Sequence, residues 1–135
     1  EFLTSDSDYI SFSTNEGVPV IKTHFGFWTE GVTLKSLKEI ESKTSDSIFL
    51  EHVTNYIYEN KDIFKIYFLK LDTYFKDYKE IRMTLDTKED FDLLKEIYKE
   101  FATQESNTIK SLLEFVECNE VWKTKMNQQI VKNTK

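Results

Sequence analysis

From Tyr9 to Ser13 the chain alternates ring or aliphatic residues with small polar ones, and this period of two predicts a short strand. Thr14-Asn15-Glu16-Gly17 then reads as a turn, and Val18 to Ile21 as a second extended piece whose Pro19 favours an edge or a strand start. The pattern changes after Val32. Leu34, Leu37 and Ile40 fall at i, i+3 and i+6, which predicts a helix over 34–43. Thr44-Ser45-Asp46 offers N-caps for a further helix that carries Phe49, Val53, Tyr56 and Ile57 and ends near Asn60. Phe64, Ile66 and Phe68 alternate with Lys65, Tyr67 and Leu69, and Ile81, Met83 and Leu85 with Arg82, Thr84 and Asp86, so each run predicts a strand. Thr87 caps an amphipathic helix bearing Phe91, Leu94, Ile97, Tyr98 and Phe101. Ile109, Leu112, Leu113 and Val116 share one face of another. Residues 118–129 predict a short last helix, and Val131 to Lys135 a frayed tail. Strands alternating with helices predict an α/β layered fold in a single domain over 1–135.

Composition narrows the function classes more than it changes this picture. The 135 residues include 11 Phe, 7 Tyr and 2 Trp, enough large rings to fill a packed interior. The net charge is −6, with acids and bases interleaved and no basic face, so a nucleic-acid partner is not expected. Apolar runs are far too short for a membrane span, and no secretory signal opens the chain. Cys118 is the sole cysteine and fits a reducing, cytoplasmic setting. The chain begins with Glu1-Phe2-Leu3 and no initiator Met, which suggests a fragment or a processed product.

Candidate chemistry gathers at Asp86. It closes a predicted strand just before a helix, the place where ligands collect in open α/β sheets. Period-two geometry sets Arg82, Thr84 and Asp86 on one face, and a carboxylate there suits Mg²⁺ held with substrate phosphates. Alternatively, Asp86 and Thr87 only start the helix. His52, within Glu51-His52-Val53-Thr54, could contact phosphate or act as an acid or base, or could be an ordinary helical residue. Glu30 could serve a site or a helix dipole. Glu89, Asp90 and Asp92 read as first-turn charges rather than a metal site, and Tyr56, Tyr58, Tyr67 and Phe68 as core or subunit contacts. His24 stands apart, and no His, Cys and Asp spacing suggests zinc. No phosphate-cradling glycine loop, nucleophile elbow or paired-cysteine motif occurs.

The run Arg82-Met83-Thr84-Leu85-Asp86-Thr87-Lys88-Glu89-Asp90-Phe91 resembles a phrase of the spore-coat polysaccharide cytidylyltransferase-like proteins. These are relatives of the synthetases that make CMP-KDO and CMP-sialic acids. Glu51 to Ile57, Asp8 to Ser11, Gly26 to Leu37 and Asn119 to Asn127 resemble further phrases of that branch, in the same order. Lys88 and Asn55 stand where those proteins tend to have Pro, and Phe25 precedes Gly26 as a further departure. The resemblance implies the C-terminal portion of a nucleotide-diphosphosugar transferase (GT-A-like) fold, a three-layer α/β/α sandwich on a mixed sheet. It also implies transfer of CMP from CTP to a sugar acid in the complete enzyme, with Asp86 as a Mg²⁺ ligand. Glu30, Glu51, His52 and Arg82 would then lie near the sugar. The nucleotide loop and a second acidic ligand would lie upstream of Glu1. The chain alone is therefore expected to be inactive and to self-associate as a homo-oligomer. The competing expectation is a non-catalytic interaction module that keeps the fold.

Overall fold

The computed structural model describes residues 6–133. It is a mixed α/β structure that divides into two compact units. The first comprises the residues up to Ser13 with Thr29–Lys70, and the second Thr14–Trp28 with the chain from Leu71 onward.

The first unit holds all three strands found among the described residues: β1 (Tyr9–Ser13), β2 (Gly31–Val32) and β3 (Ile66–Lys70). β1 is central, in the order β2-β1-β3. It runs parallel to β3, from Tyr9 opposite Ile66 to Ser13 opposite Lys70. It runs antiparallel to β2, with Tyr9 opposite Val32. A parallel pair needs a crossover rather than a hairpin, and the chain between β1 and β3 carries three helices: α1 (Leu34–Lys43), α2 (Ser47–Glu51) and α3 (Val53–Glu59). Thr33 caps α1, its hydroxyl accepting from Ser36 N at 3.1 Å. Asp46 caps α2 in the same way through Ile48 N. Tyr9, Ile40, Ile57, Tyr58 and Phe64 form the buried core, with Val32, Val53, Tyr56, Ile66 and Phe68 packed against it.

The predicted helix from 47 to 60 is two helices, broken at His52 with φ −115° and ψ 66°. The β-branched pair Val53-Thr54 follows the break, and such residues lose χ1 freedom in a helix. The predicted stripe on α1 is also adjusted. Leu34 is 67% exposed, while Ser36 and Ile40 are buried.

In the second unit the predicted extended piece at 18–21 is extended only at its start, where Pro19 (φ −58°, ψ 136°) forms a single bridge. It then becomes a 3-10 turn at Val20–Lys22, closed by Lys22 N to Pro19 O and Thr23 N to Val20 O. A second 3-10 segment spans Thr73–Tyr78. The strand predicted over 81–86 is chain without regular secondary structure, outside any sheet. Its amides find other acceptors: Met83 N donates to His24 O at 2.8 Å, Arg82 N to the Met126 sulfur, and Asp86 N to the Asp90 carboxylate. Met83 comes so close to the 24–26 backbone that a Cβ on Gly26, at φ +71°, would strike the Met83 carbonyl and lie 2.7 Å from Thr84 N. Only glycine fits there.

Three helices complete this unit: α4 (Lys88–Phe101), α5 (Ile109–Glu117) and α6 (Glu120–Lys132). Each packs against the other two. Leu93, Ile97, Leu113, Val116, Trp122 and Met126 are buried in this unit's core. Phe115 links Phe101 and Trp122 at ring distances of 5.6 and 5.5 Å. α4 is rotated from its predicted face, for Phe91 and Tyr98 are 50% and 72% exposed while Asp90 is buried. α6 continues to Lys132, through part of the predicted frayed tail; Thr134 and Lys135 lie outside the described residues.

Candidate functional site

Arg82 is the hub of the second unit's polar network. It is 2% exposed, and a buried guanidinium is tolerated only when paired. Nε donates to Asp90 Oδ1 at 2.8 Å and Nη2 to Asp90 Oδ2 at 2.7 Å, a bidentate fork. Nη2 also reaches Asp86 Oδ2 at 2.9 Å. Nη1 lies 2.7 Å from His24 Nδ1. Arginine has no acceptor, so Nδ1 must accept and the imidazole proton sits on Nε2. Donating hydrogen bonds to Asp90 raises the guanidinium's pKa further above its ordinary value.

Asp90 does double duty. Its Oδ2 also accepts from Asp86 N at 3.1 Å and Thr87 N at 3.0 Å, while Asp90 N donates to Thr87 Oγ1 at 3.1 Å. These bonds make a reciprocal capping box at the start of α4. Burial alone would raise the Asp90 pKa, but the hydrogen bonds from Arg82, Asp86 and Thr87 outweigh it and hold the group down to about 2.

Asp86 differs from Asp90 in one decisive respect. Its side chain is 47% exposed where that of Asp90 is 4% exposed. Arg82 thus anchors one carboxylate in the core and steadies a second at the surface beside the N-terminus of α4. An exposed, steadied carboxylate can supply one oxygen ligand to Mg²⁺, a hard cation that keeps several waters and leans on substrate phosphates. Among the described residues no group of three or more His, Cys, Asp or Glu is placed to hold a metal. A metal ion at Asp86 would need its other ligands from elsewhere, and the Arg82 pairing would compete with it for Oδ2.

The sequence-derived candidates fall in different places. Arg82 and Asp86 meet as described, and His24 joins them. Glu30 lies in the first unit, where Oε1 accepts from Tyr58 OH at 2.8 Å and also from Tyr9 OH, and Oε2 from Thr54 Oγ1 at 3.2 Å. The two tyrosine hydroxyls also bond each other. Burial first, and hydrogen bonding to Glu30 with it, pushes both tyrosine pKa values well above the ordinary range. Three hydroxyls thus gather on Glu30. Glu51 and His52 are exposed at the break between α2 and α3. Asp90 and His24 are the participants that the sequence reading did not assign to a site. The Thr87-x-x-Asp90 capping-box spacing carried the signal for Asp90, whereas His24, 58 residues from Arg82, left no local signal.

Comparison with known proteins finds an uncharacterized protein of Methanocaldococcus jannaschii, 29% identical over 119 residues. The match covers 88% of this chain and 48% of that relative, so the chain spans about half the length of the protein it resembles. No protein-family model and no solved structure matches the chain.

Proposed function

We propose that this chain is the substrate- and metal-side portion of a cytidylyltransferase-like enzyme that moves CMP from CTP to a sugar acid for a surface or spore-coat polysaccharide. The observation that carries the reading is Asp86, a surface carboxylate steadied by buried Arg82 at a helix start. The five ordered phrases and the mixed α/β architecture are consistent with it. The relative's extra length leaves room for a nucleotide-binding half. In this proposal the complete protein has the three-layer sandwich, works in the cytoplasm and uses Mg²⁺ bound by Asp86, the triphosphate and a further carboxylate outside this chain. Arg82 orients Asp86 from the core rather than touching substrate, and Glu51 and His52 are exposed candidates for sugar contacts.

The test uses the complete protein with CTP, Mg²⁺ and a panel of sugar acids, with pyrophosphate release as the readout. Asp86→Asn keeps the side chain's shape and its acceptor oxygen but loses the charge that holds the metal. Activity should fall by about 100-fold or more, with an unchanged melting temperature. Wild-type turnover with unaltered Mg²⁺ dependence in this variant would remove Asp86 from the site.

A second reading, a non-catalytic interaction module, is favoured by one observation. Leu34, Ile48 and Leu50 on α1 and α2 are 67%, 54% and 62% exposed. Absence of nucleotide turnover in the complete protein, combined with stable self-association, would select it.

A further inference from the structure

We infer that the second unit carries a pocket for a small hydrophobic α-amino acid, a ligand distinct from the proposed nucleotide and sugar. A cavity of about 280 Å³ lies between the 14–25 loop and residues 71–79. That is near the lower bound, about 300 Å³, of pockets that take small molecules. Its inner wall is apolar. Phe25, Leu71 and Phe75 are each 5% exposed, and the two rings stand 5.7 Å apart. A polyhydroxylated sugar would leave its hydroxyls unpaired against such a wall.

The charges around the pocket decide the ligand class. Glu16 and Lys79 are paired with each other at 3.8 Å. Asp72 and Lys76 also line the cavity, and neither forms an ion pair among the described residues. An acid and a base of opposite sign thus stand uncommitted beside an aromatic wall. This pattern suits a zwitterion, with the ammonium on Asp72, the carboxylate on Lys76 and the side chain against Phe25 and Phe75. His24 lines the same cavity, where its Arg82 contact fixes the ring hydrogen on Nε2.

Titration of the 135-residue chain with L-phenylalanine, followed calorimetrically and by amide NMR shifts, tests the assignment. The expected Kd is about 1 mM or tighter, with shifts centred on residues 14–25 and 71–79. N-acetyl-L-phenylalanine lacks the ammonium and L-phenylalaninamide lacks the carboxylate. Each should bind at least about threefold more weakly, and L-serine should not saturate. Asp72→Asn should erase the preference for phenylalanine over its N-acetyl form. Val18, 43% exposed, also lines the cavity, and Val18→Phe should fill it and abolish binding without lowering the melting temperature. Equal binding of all three phenylalanine derivatives, no saturable binding, or shifts centred elsewhere would each overturn the proposal.

Discussion

At the scale of single residues, the contrast between Asp86 and Asp90 shows how environment assigns roles to two identical side chains. Asp90 accepts two bonds from a buried guanidinium and two from backbone amides. Asn at 90 would leave Arg82 without its buried counter-charge, and breaking a buried pair in this way costs about 3–5 kcal/mol. Chemical denaturation of Asp90→Asn should show a loss of that order. The acid limb supplies an independent check. The folded pKa of Asp90 lies at about 2, below an unfolded value near 3.8. A depressed carboxylate contributes stability that is complete above the unfolded value and is lost as pH falls through the folded one. The wild type should therefore lose roughly 2 kcal/mol between about pH 4.5 and pH 2 from this group, and Asp90→Asn should lack that component. Equal acid sensitivity in the two proteins would mean that the carboxylate is not held as described. Asp86 was legible as a candidate because its place before a helix start has a local signature. The reach of Arg82 to His24, 58 residues away, has no sequence signal.

At the scale of elements, local rules decided what could be read in advance. β1, α1 and the start of α4 lie at the residues predicted for them because the extent of each is set by near neighbours: alternation in the first, a Thr cap in the others. The 81–86 run has the same alternation as a strand but never joins a sheet. A strand needs a partner edge, and here the amides of 82, 83 and 86 are satisfied by a sulfur, a loop carbonyl and a carboxylate. Period two alone does not report a ladder. The face of α4 was misplaced for a related reason, since a buried Asp occupies a position that the apolar stripe assigns to solvent. Asp90 is buried because Arg82 and the helix start need it there. Thr87→Ala removes half of that capping box and leaves Asp90 on Arg82 and on the Asp86 and Thr87 amides. Thermal melting should register a loss of about 1 kcal/mol, well short of the Asp90→Asn effect. A loss as large as that of Asp90→Asn would show that the hydroxyl, not the ion pair, organises the start of α4.

At the scale of the whole molecule, the coarse class was readable, since helices alternating with strands give a mixed α/β structure. The division into two units was not, because the first 28 residues pass from one unit to the other, and composition does not change where they do so. Two outcomes belong to this scale. The 135-residue chain alone should release no pyrophosphate from CTP and sugar acids, for no phosphate-cradling glycine loop occurs in its sequence. Measurable turnover would place the nucleotide site within this chain. Self-association is the second expected outcome, and its argument rests on one surface. In the first unit Leu34, Leu37, Ile40, Phe49, Leu50 and Val53 line an open apolar groove, and Leu34 and Leu50 remain 67% and 62% exposed beside it. Burying apolar area returns about 25 cal/mol per Å², so a second copy that covers this groove gains from every exposed leucine it removes from water. The net charge of −6 opposes association at low salt, and screening should strengthen it. Sedimentation equilibrium at about 100 μM and physiological salt should therefore reveal dimers or larger species. The double variant Leu34→Asp/Leu50→Asp should shift the chain to monomer. Because both side chains are exposed in the isolated chain, its melting temperature at low concentration should barely move. A wild-type monomer at all salt concentrations, or a double variant that associates as before, would show that this groove is not where copies meet.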